Sequence, residues 1–185
     1  MNKFKGLGVA MVTPFKTDKS IDFEGLENLT NHLIDGGVKY LVVMGTTGEN
    51  PTITTEEQNG ILKKVVEVNA KRLPIVFGVG GNDTSSIINR LNSEDIADID
   101  GILSVSPYYN KPSQEGIFQH YKAISYASKW PIIMYNVPGR TGSLVSAETT
   151  LRIAELPNVI CTKEASGSLD ICMDIIRQAP DDFGV

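Results

Sequence analysis

One lysine lies in a segment where a charged side chain is unexpected. Lys163 belongs to the run VICTKEA, residues 159–165, which is otherwise typical of a buried strand. A lysine at the end of such a strand must either extend to water or lose its charge. The simpler interpretation is a surface lysine just past the strand end. The alternative is a neutral amine in an apolar pocket, which can attack a carbonyl and form a Schiff base.

Two candidate partners lie in the segment YNVPGRTG, residues 135–142, which ends another apolar run. Tyr135 could simply pack its ring in the core, or it could transfer protons beside a Schiff-base lysine. Arg140 follows on a loop of small residues. It is either a solvated side chain or, at the entrance of a binding site, a bidentate hydrogen-bond donor to a substrate carboxylate.

Two further loops carry side chains that could contact a substrate. The turn GTTGE begins at Gly45, and its backbone amides, with the hydroxyls of Thr46 and Thr47, could hold a carboxylate. An ordinary glycine turn is the simpler interpretation. Tyr108 and Tyr109 lie between two prolines, where they either cover the core or lie in a subunit interface.

The elements that position these residues alternate in a regular way. Six apolar runs rich in β-branched residues predict buried strands, and they recur at intervals of about 30 residues, the length of one βα unit. Amphipathic segments between them predict helices, and Asp22 and the stretch Thr54–Glu57 supply N-terminal caps. The predicted strands begin near Gly8, Tyr40, Pro74, Gly101, Pro131 and Val159.

Apolar strands that alternate with helices predict a parallel sheet covered on both faces. An open doubly wound sheet that binds a dinucleotide usually carries a G-x-G-x-x-G turn, but Asp83 stands where the third glycine should be. Polar residues at the strand ends favour a (β/α)8 barrel, with its active site at that end. We therefore expect one α/β barrel domain over residues 1–185, covering about the first six βα units. Such a barrel is incomplete, because the sequence stops where a seventh strand should begin.

Composition excludes several classes of function. The 17 Lys and Arg residues against 22 Asp and Glu residues give a formal charge of −5, without the basic footprint of a nucleic-acid-binding protein. No apolar run is long enough to cross a membrane. Two cysteines cannot form a disulfide framework, so we expect a cytoplasmic protein.

Neither the histidines nor the cysteines indicate a metal or a nucleophile site. We find no metal-ligand spacing and expect no metal. His32 and His120 fall in helical segments and are expected to face solvent. Cys161 lies two residues before Lys163 and is expected to fill the core, because no histidine is placed to activate it.

Four segments in this order resemble the dihydrodipicolinate synthase family, within the pyruvate-dependent class I aldolases that include N-acetylneuraminate lyase. The resemblance runs through the whole chain. The segments are GTTGE at 45–49, SPYYNKPSQEG at 106–116, YNVPGRTG at 135–142 and TKEASG at 162–167.

The resemblance implies the site residues and their roles. Lys163 matches the lysine that captures pyruvate as an imine and then an enamine, which attacks aspartate β-semialdehyde. Tyr135, Thr46 and Tyr109 match a proton-relay triad, with Tyr109 donated by the neighbouring subunit. Gly45 and Thr47 belong to the motif that receives the pyruvate carboxylate, and Arg140 matches an arginine that contacts the semialdehyde.

The same resemblance implies a lyase of diaminopimelate and lysine biosynthesis that needs no cofactor and assembles as a homotetramer, a dimer of dimers. Two alternatives stay open: a related aldolase acting on a sugar acid, and a non-catalytic barrel fragment. Thr46 and Arg140 favour the synthase over a sugar-acid aldolase. The lysine-inhibited members of the family carry a histidine and a glutamate where this chain has Gln58 and Ser86, although Tyr108 and Asn82 match their lysine site.

Overall fold

The computed structural model describes residues 2–185, which form two compact units. The N-terminal unit comprises residues 2–78 and 94–101, and the C-terminal unit comprises residues 79–93 and 102–185. That residues 1–185 form a single barrel domain stays a prediction.

The N-terminal unit contains three parallel strands and two long helices. Its elements in order are β1 (Gly8–Ala10), α1 (Phe23–Asp35), β2 (Tyr40–Val43), α2 (Thr55–Asn69) and β3 (Ile75–Gly78). Strand β2 pairs in parallel with both β1 and β3, with Leu41 opposite Val9 and Ile75. Short 3₁₀ turns lie at Asn2–Phe4, Thr46–Gly48 and Asn50–Thr52.

Both predicted helix caps are present in this unit. The Asp22 side chain accepts a hydrogen bond from the Gly25 amide at the start of α1. At α2 the Thr54 hydroxyl and the Glu57 carboxylate each bond the other's backbone amide, which is a complete capping box. These bonds satisfy amides that the first helical turn leaves without partners.

The C-terminal unit repeats the alternation of strands and helices. It contains α3 (Thr84–Leu91), β4 (Gly101–Val105, of which Gly101 belongs to the other unit), α4 (Gln114–Ala127), β5 (Ile132–Asn136), α5 (Pro138–Thr141), α6 (Ala147–Ala154), β6 (Val159–Glu164) and α7 (Leu169–Gln178). Strand β5 pairs in parallel with β4 and β6. Gly184 forms a parallel bridge with Cys161, so the chain returns to the edge of β6 where the sequence predicts a seventh strand.

The positions of two helix faces differ from the sequence predictions. His120 on α4 is only 4% exposed, so the expectation that it faces solvent is wrong, whereas His32 on α1 is exposed as expected. His120 lies on the same face as Ile117, Tyr121 and Ile124, all of them buried. On α7 only Ile175 is buried, and the apolar stripe Leu169, Met173 and Ile176 is exposed.

Candidate active site

The C-terminal unit brings two of the predicted catalytic residues together. Lys163 on β6 stands directly opposite Tyr135 on β5 in the parallel register. The Lys163 Nζ atom lies 4.5 Å from the centre of the Tyr135 ring. Tyr135 is buried, so its ring forms a fixed wall against which the lysine lies.

The pKa of Lys163 is lowered from its ordinary value because partial burial desolvates the ammonium group. The residue is nevertheless exposed, so its side chain keeps access to solvent. A lysine with a lowered pKa and an open side is a suitable nucleophile, because the free amine is more populated and a carbonyl compound can reach it.

Arg140 and Tyr109 lie on neighbouring loops of the same unit. The four-residue helix α5 (Pro138–Thr141) carries the exposed Arg140 in its last turn and is followed by Gly142, which has φ 74°. The carbonyl of Thr141 accepts a hydrogen bond of 3.3 Å from the Tyr109 amide. The two loops that carry Arg140 and Tyr109 are therefore joined through their backbones.

Tyr109 itself extends away from its own unit. Its side chain is 86% exposed, and its backbone has φ 72°, a left-handed conformation that is unfavourable for a residue with a large side chain. Such strain persists where the surrounding structure imposes it, and it is found most often at functional sites. Within its own unit, Tyr109 does not contribute a buried side chain.

Gly45, Thr46 and Thr47 lie in the N-terminal unit, at the end of β2. Gly45 is buried, Thr46 is half-buried and Thr47 is exposed, in a 3₁₀ turn over Thr46–Gly48. The residues on either side, Met44 and Glu49, have φ 57° and φ 59°. The turn that carries the two hydroxyls is thus flanked by two residues whose backbone is in the left-handed conformation.

A side-chain clamp stabilises this turn. The Asn50 amide donates to the carbonyls of Met44 at 2.7 Å and Gly78 at 3.2 Å. The Gln58 amide donates in turn to the backbone carbonyl and the side-chain oxygen of Asn50 and to the carbonyl of Ile53. Asn50 is a residue that the sequence analysis missed, although a polar side chain directly after the GTTGE turn is a usable signal.

The neighbouring Cys161 is half-buried, so it fills the core only in part. Burial raises the pKa of the Cys161 thiol to about 11, so the thiolate is scarce at neutral pH. Among residues 2–185, no group of three or more His, Cys, Asp or Glu side chains is arranged to hold a metal ion. In the same range, no helix combines the length and apolarity needed to cross a bilayer.

Parallel strands that alternate with helices in both units place the chain in the α/β class. A model of the dihydrodipicolinate synthetase family matches residues 3–185, and the chain belongs to this family.

Proteins that are similar to this chain carry related names. The 4-hydroxy-tetrahydrodipicolinate synthase of Parabacteroides distasonis is 56% identical over 182 residues, covering 98% of this chain and 61% of that protein. The structure of dihydrodipicolinate synthase DapA-2 from Bacillus anthracis matches with a TM-score of 0.92 at 42% identity, over 97% of this chain and 62% of that one. For the dihydrodipicolinate synthase of Thermotoga maritima the TM-score is 0.93 at 40% identity, over 98% and 62% of the two chains.

These matches confirm the expected fold class, an α/β barrel of which this chain covers about the first six βα units. The chain spans about six-tenths of the length of the curated relatives it matches.

Proposed function

We propose that the protein is a Schiff-base lyase that condenses pyruvate with aspartate β-semialdehyde to 4-hydroxy-tetrahydrodipicolinate, in diaminopimelate and lysine biosynthesis. The observation that carries this proposal is the desolvated Lys163 amine beside the ring of Tyr135. The family membership and the names of the relatives support the choice of substrates.

In the proposed reaction, the Lys163 amine adds to the pyruvate carbonyl, and the carbinolamine loses water to give the imine. Loss of a methyl proton gives the enamine, whose carbon forms a bond to the semialdehyde carbon. The aldehyde oxygen takes up a proton and becomes the product hydroxyl. The α-amine of the semialdehyde then attacks the imine carbon, so the ring closes and Lys163 leaves as the free amine. The reaction is redox-neutral and uses no cofactor.

Each remaining side chain has a role in the proposal. Tyr135, Thr46 and Tyr109 carry protons during formation and breakdown of the carbinolamine. Gly45 and Thr47 receive the pyruvate carboxylate, because amides and hydroxyls can bind an anion without a full positive charge. Arg140, exposed on α5, binds the carboxylate of the semialdehyde.

We infer a cytoplasmic homo-oligomer, a dimer of dimers, in which Tyr109 acts in the neighbouring subunit. The 86% exposure of Tyr109 supports this inference, since the side chain is free to enter a partner. Inactive Tyr109→Phe mixed with inactive Lys163→Ala should form hybrid dimers with partial activity. Verified hybrids without activity would show that Tyr109 acts within its own subunit.

Turnover with alternative substrates tests the proposed function. The purified full-length protein should consume pyruvate only when aspartate β-semialdehyde is present, and it should release no pyruvate from N-acetylneuraminate. The opposite preference would identify a sugar-acid aldolase, and no turnover with either would favour a non-catalytic barrel.

A further inference from the structure

A buried amide lies at the end of β5, beside the candidate catalytic pair. Asn136 is 0% exposed. Its side chain donates to the Val145 carbonyl at 3.0 Å and accepts from the Val145 amide at 3.1 Å. It also donates to a Glu164 carboxylate oxygen at 2.8 Å. Both donors and the acceptor of the amide are thus engaged, as a buried polar group requires.

Glu164 continues this network at the end of β6. Its second carboxylate oxygen accepts a hydrogen bond from the Ser166 amide at 2.7 Å. The backbone of Asn136 joins the same segment, because its carbonyl accepts from the Ala165 amide at 2.9 Å. One side chain therefore ties the end of β5 to the end of β6 and to the segment that follows α5.

The register places this network directly behind the candidate catalytic pair. Asn136 stands opposite Glu164, and the preceding residues, Tyr135 and Lys163, also stand opposite each other. Successive side chains of a strand point to opposite faces of the sheet. The Asn136–Glu164 bond therefore connects the two strands one residue further along than Tyr135 and Lys163, and on the other face.

We propose that Asn136 is a positioning residue that, through Glu164, fixes the end of β6 and so holds Lys163 against Tyr135. The proposal rests on the proposed function, in which Lys163 is the covalent residue. A hydrogen bond to an ionised carboxylate is among the stronger ones, and burial strengthens it further. Without it, the last residues of β6 can move away from β5, which takes the Tyr135 ring away from Lys163 and exposes the amine further.

Three variants separate positioning from simple stability. Asn136→Leu keeps the net charge and the branched shape of the side chain but leaves Glu164 and Val145 without their partner. The double variant Asn136→Asp with Glu164→Gln also keeps the net charge, and it restores the bond with donor and acceptor exchanged. Thr30→Val is the matched control, because it removes a buried 2.7 Å side-chain bond to the Leu26 carbonyl within α1, in the other unit.

Two measurements on the full-length protein report on Lys163. The first is the pH dependence of the rate at which Lys163 is acylated, followed by peptide mass spectrometry. This measurement needs no substrate. The second is the rate at which borohydride traps an adduct with pyruvate. In Asn136→Leu the midpoint of acylation should rise and trapping at pH 7 should slow by about tenfold for each pH unit of that rise. The double variant should recover part of the loss, because it restores the bond between residues 136 and 164 but not the one to the Val145 carbonyl.

The proposal is contradicted if Asn136→Leu keeps the wild-type acylation midpoint, or if Thr30→Val shifts it equally. Absence of a trapped adduct in the wild type would refute the proposed function, while the acylation curve still decides the positioning role. Should Asn136→Leu fail to fold, Asn136→Ser supplies the same test, because its hydroxyl is one bond shorter than the amide.

Discussion

His120 makes the stability of the C-terminal unit dependent on pH. Its imidazole is 4% exposed on α4, with Nδ1 2.8 Å from the Thr84 hydroxyl and Nε2 without a hydrogen-bond partner in the described chain. Burial lowers its pKa from 6.5 to about 4. The folded protein therefore keeps this histidine neutral at pH values where the unfolded chain protonates it.

The size of the effect follows from these two pKa values. Between pH 6.5 and about 4 the unfolded state binds the proton and the folded state does not, so stability falls as the pH falls. Each unit of difference corresponds to about 1.4 kcal/mol. Lowering the pH from 7 to 4 should therefore remove about 3 kcal/mol from the free energy of unfolding through this residue alone.

Urea unfolding of the wild type and of His120→Asn across this pH range measures the effect. An asparagine amide keeps a polar atom near Thr84 but does not titrate, so the acid-induced loss should shrink by about 3 kcal/mol in the variant. His32→Asn is the matched control, since His32 is exposed, and it should keep the wild-type pH dependence. Equal pH dependence in wild type and His120→Asn would refute the reasoning.

Three further predictions concern packing, thiol reactivity and regulation. Gly78→Ala should lower the free energy of unfolding in urea by about 1–3 kcal/mol or more, because its Cβ would lie 1.9 Å from the Met44 carbonyl oxygen. A Cβ at Gly139 meets nothing within 4 Å, so Gly139→Ala should be tolerated. Cys161 should alkylate far more slowly than a peptide thiol at pH 7, because its pKa is raised to about 11; equal rates would contradict its burial. Submillimolar lysine should not inhibit turnover, because the Gln58 amide is already bound to Asn50 and Ile53. Loss of one charge-assisted bond lowers the affinity for free lysine about tenfold or more. Strong inhibition in a steady-state assay would overturn this prediction.

Local sequence signals predicted most of the scaffold. Strand starts and helix caps depend on residues close in sequence. The capping box at Thr54 and the cap at Asp22 can therefore be predicted from the sequence alone. The burial of His120 is also predictable from the sequence, because the residue shares the helical period of Ile117, Tyr121 and Ile124. His120 is buried because it lies on that face, and the general preference of histidine for partly exposed positions does not decide its place.

Other features depend on contacts between distant residues. The four-residue helix α5 is too short to produce a periodic pattern, so the sequence showed only a loop. The role of Asn136 requires the β5–β6 register, which brings Glu164 beside it from 28 residues away. The exposed stripe on α7 has the spacing of a buried face, and periodicity alone cannot say what packs against it.

The central claim is that Lys163 forms the covalent bond to pyruvate, and trapping the adduct tests it most directly. The full-length protein is treated with pyruvate and borohydride and then digested for peptide mass mapping. The reduced adduct should lie on the peptide containing Thr162, Lys163 and Glu164, and it should be absent from Lys163→Ala. An adduct that persists in Lys163→Ala, or a wild-type protein that forms none, would contradict the account.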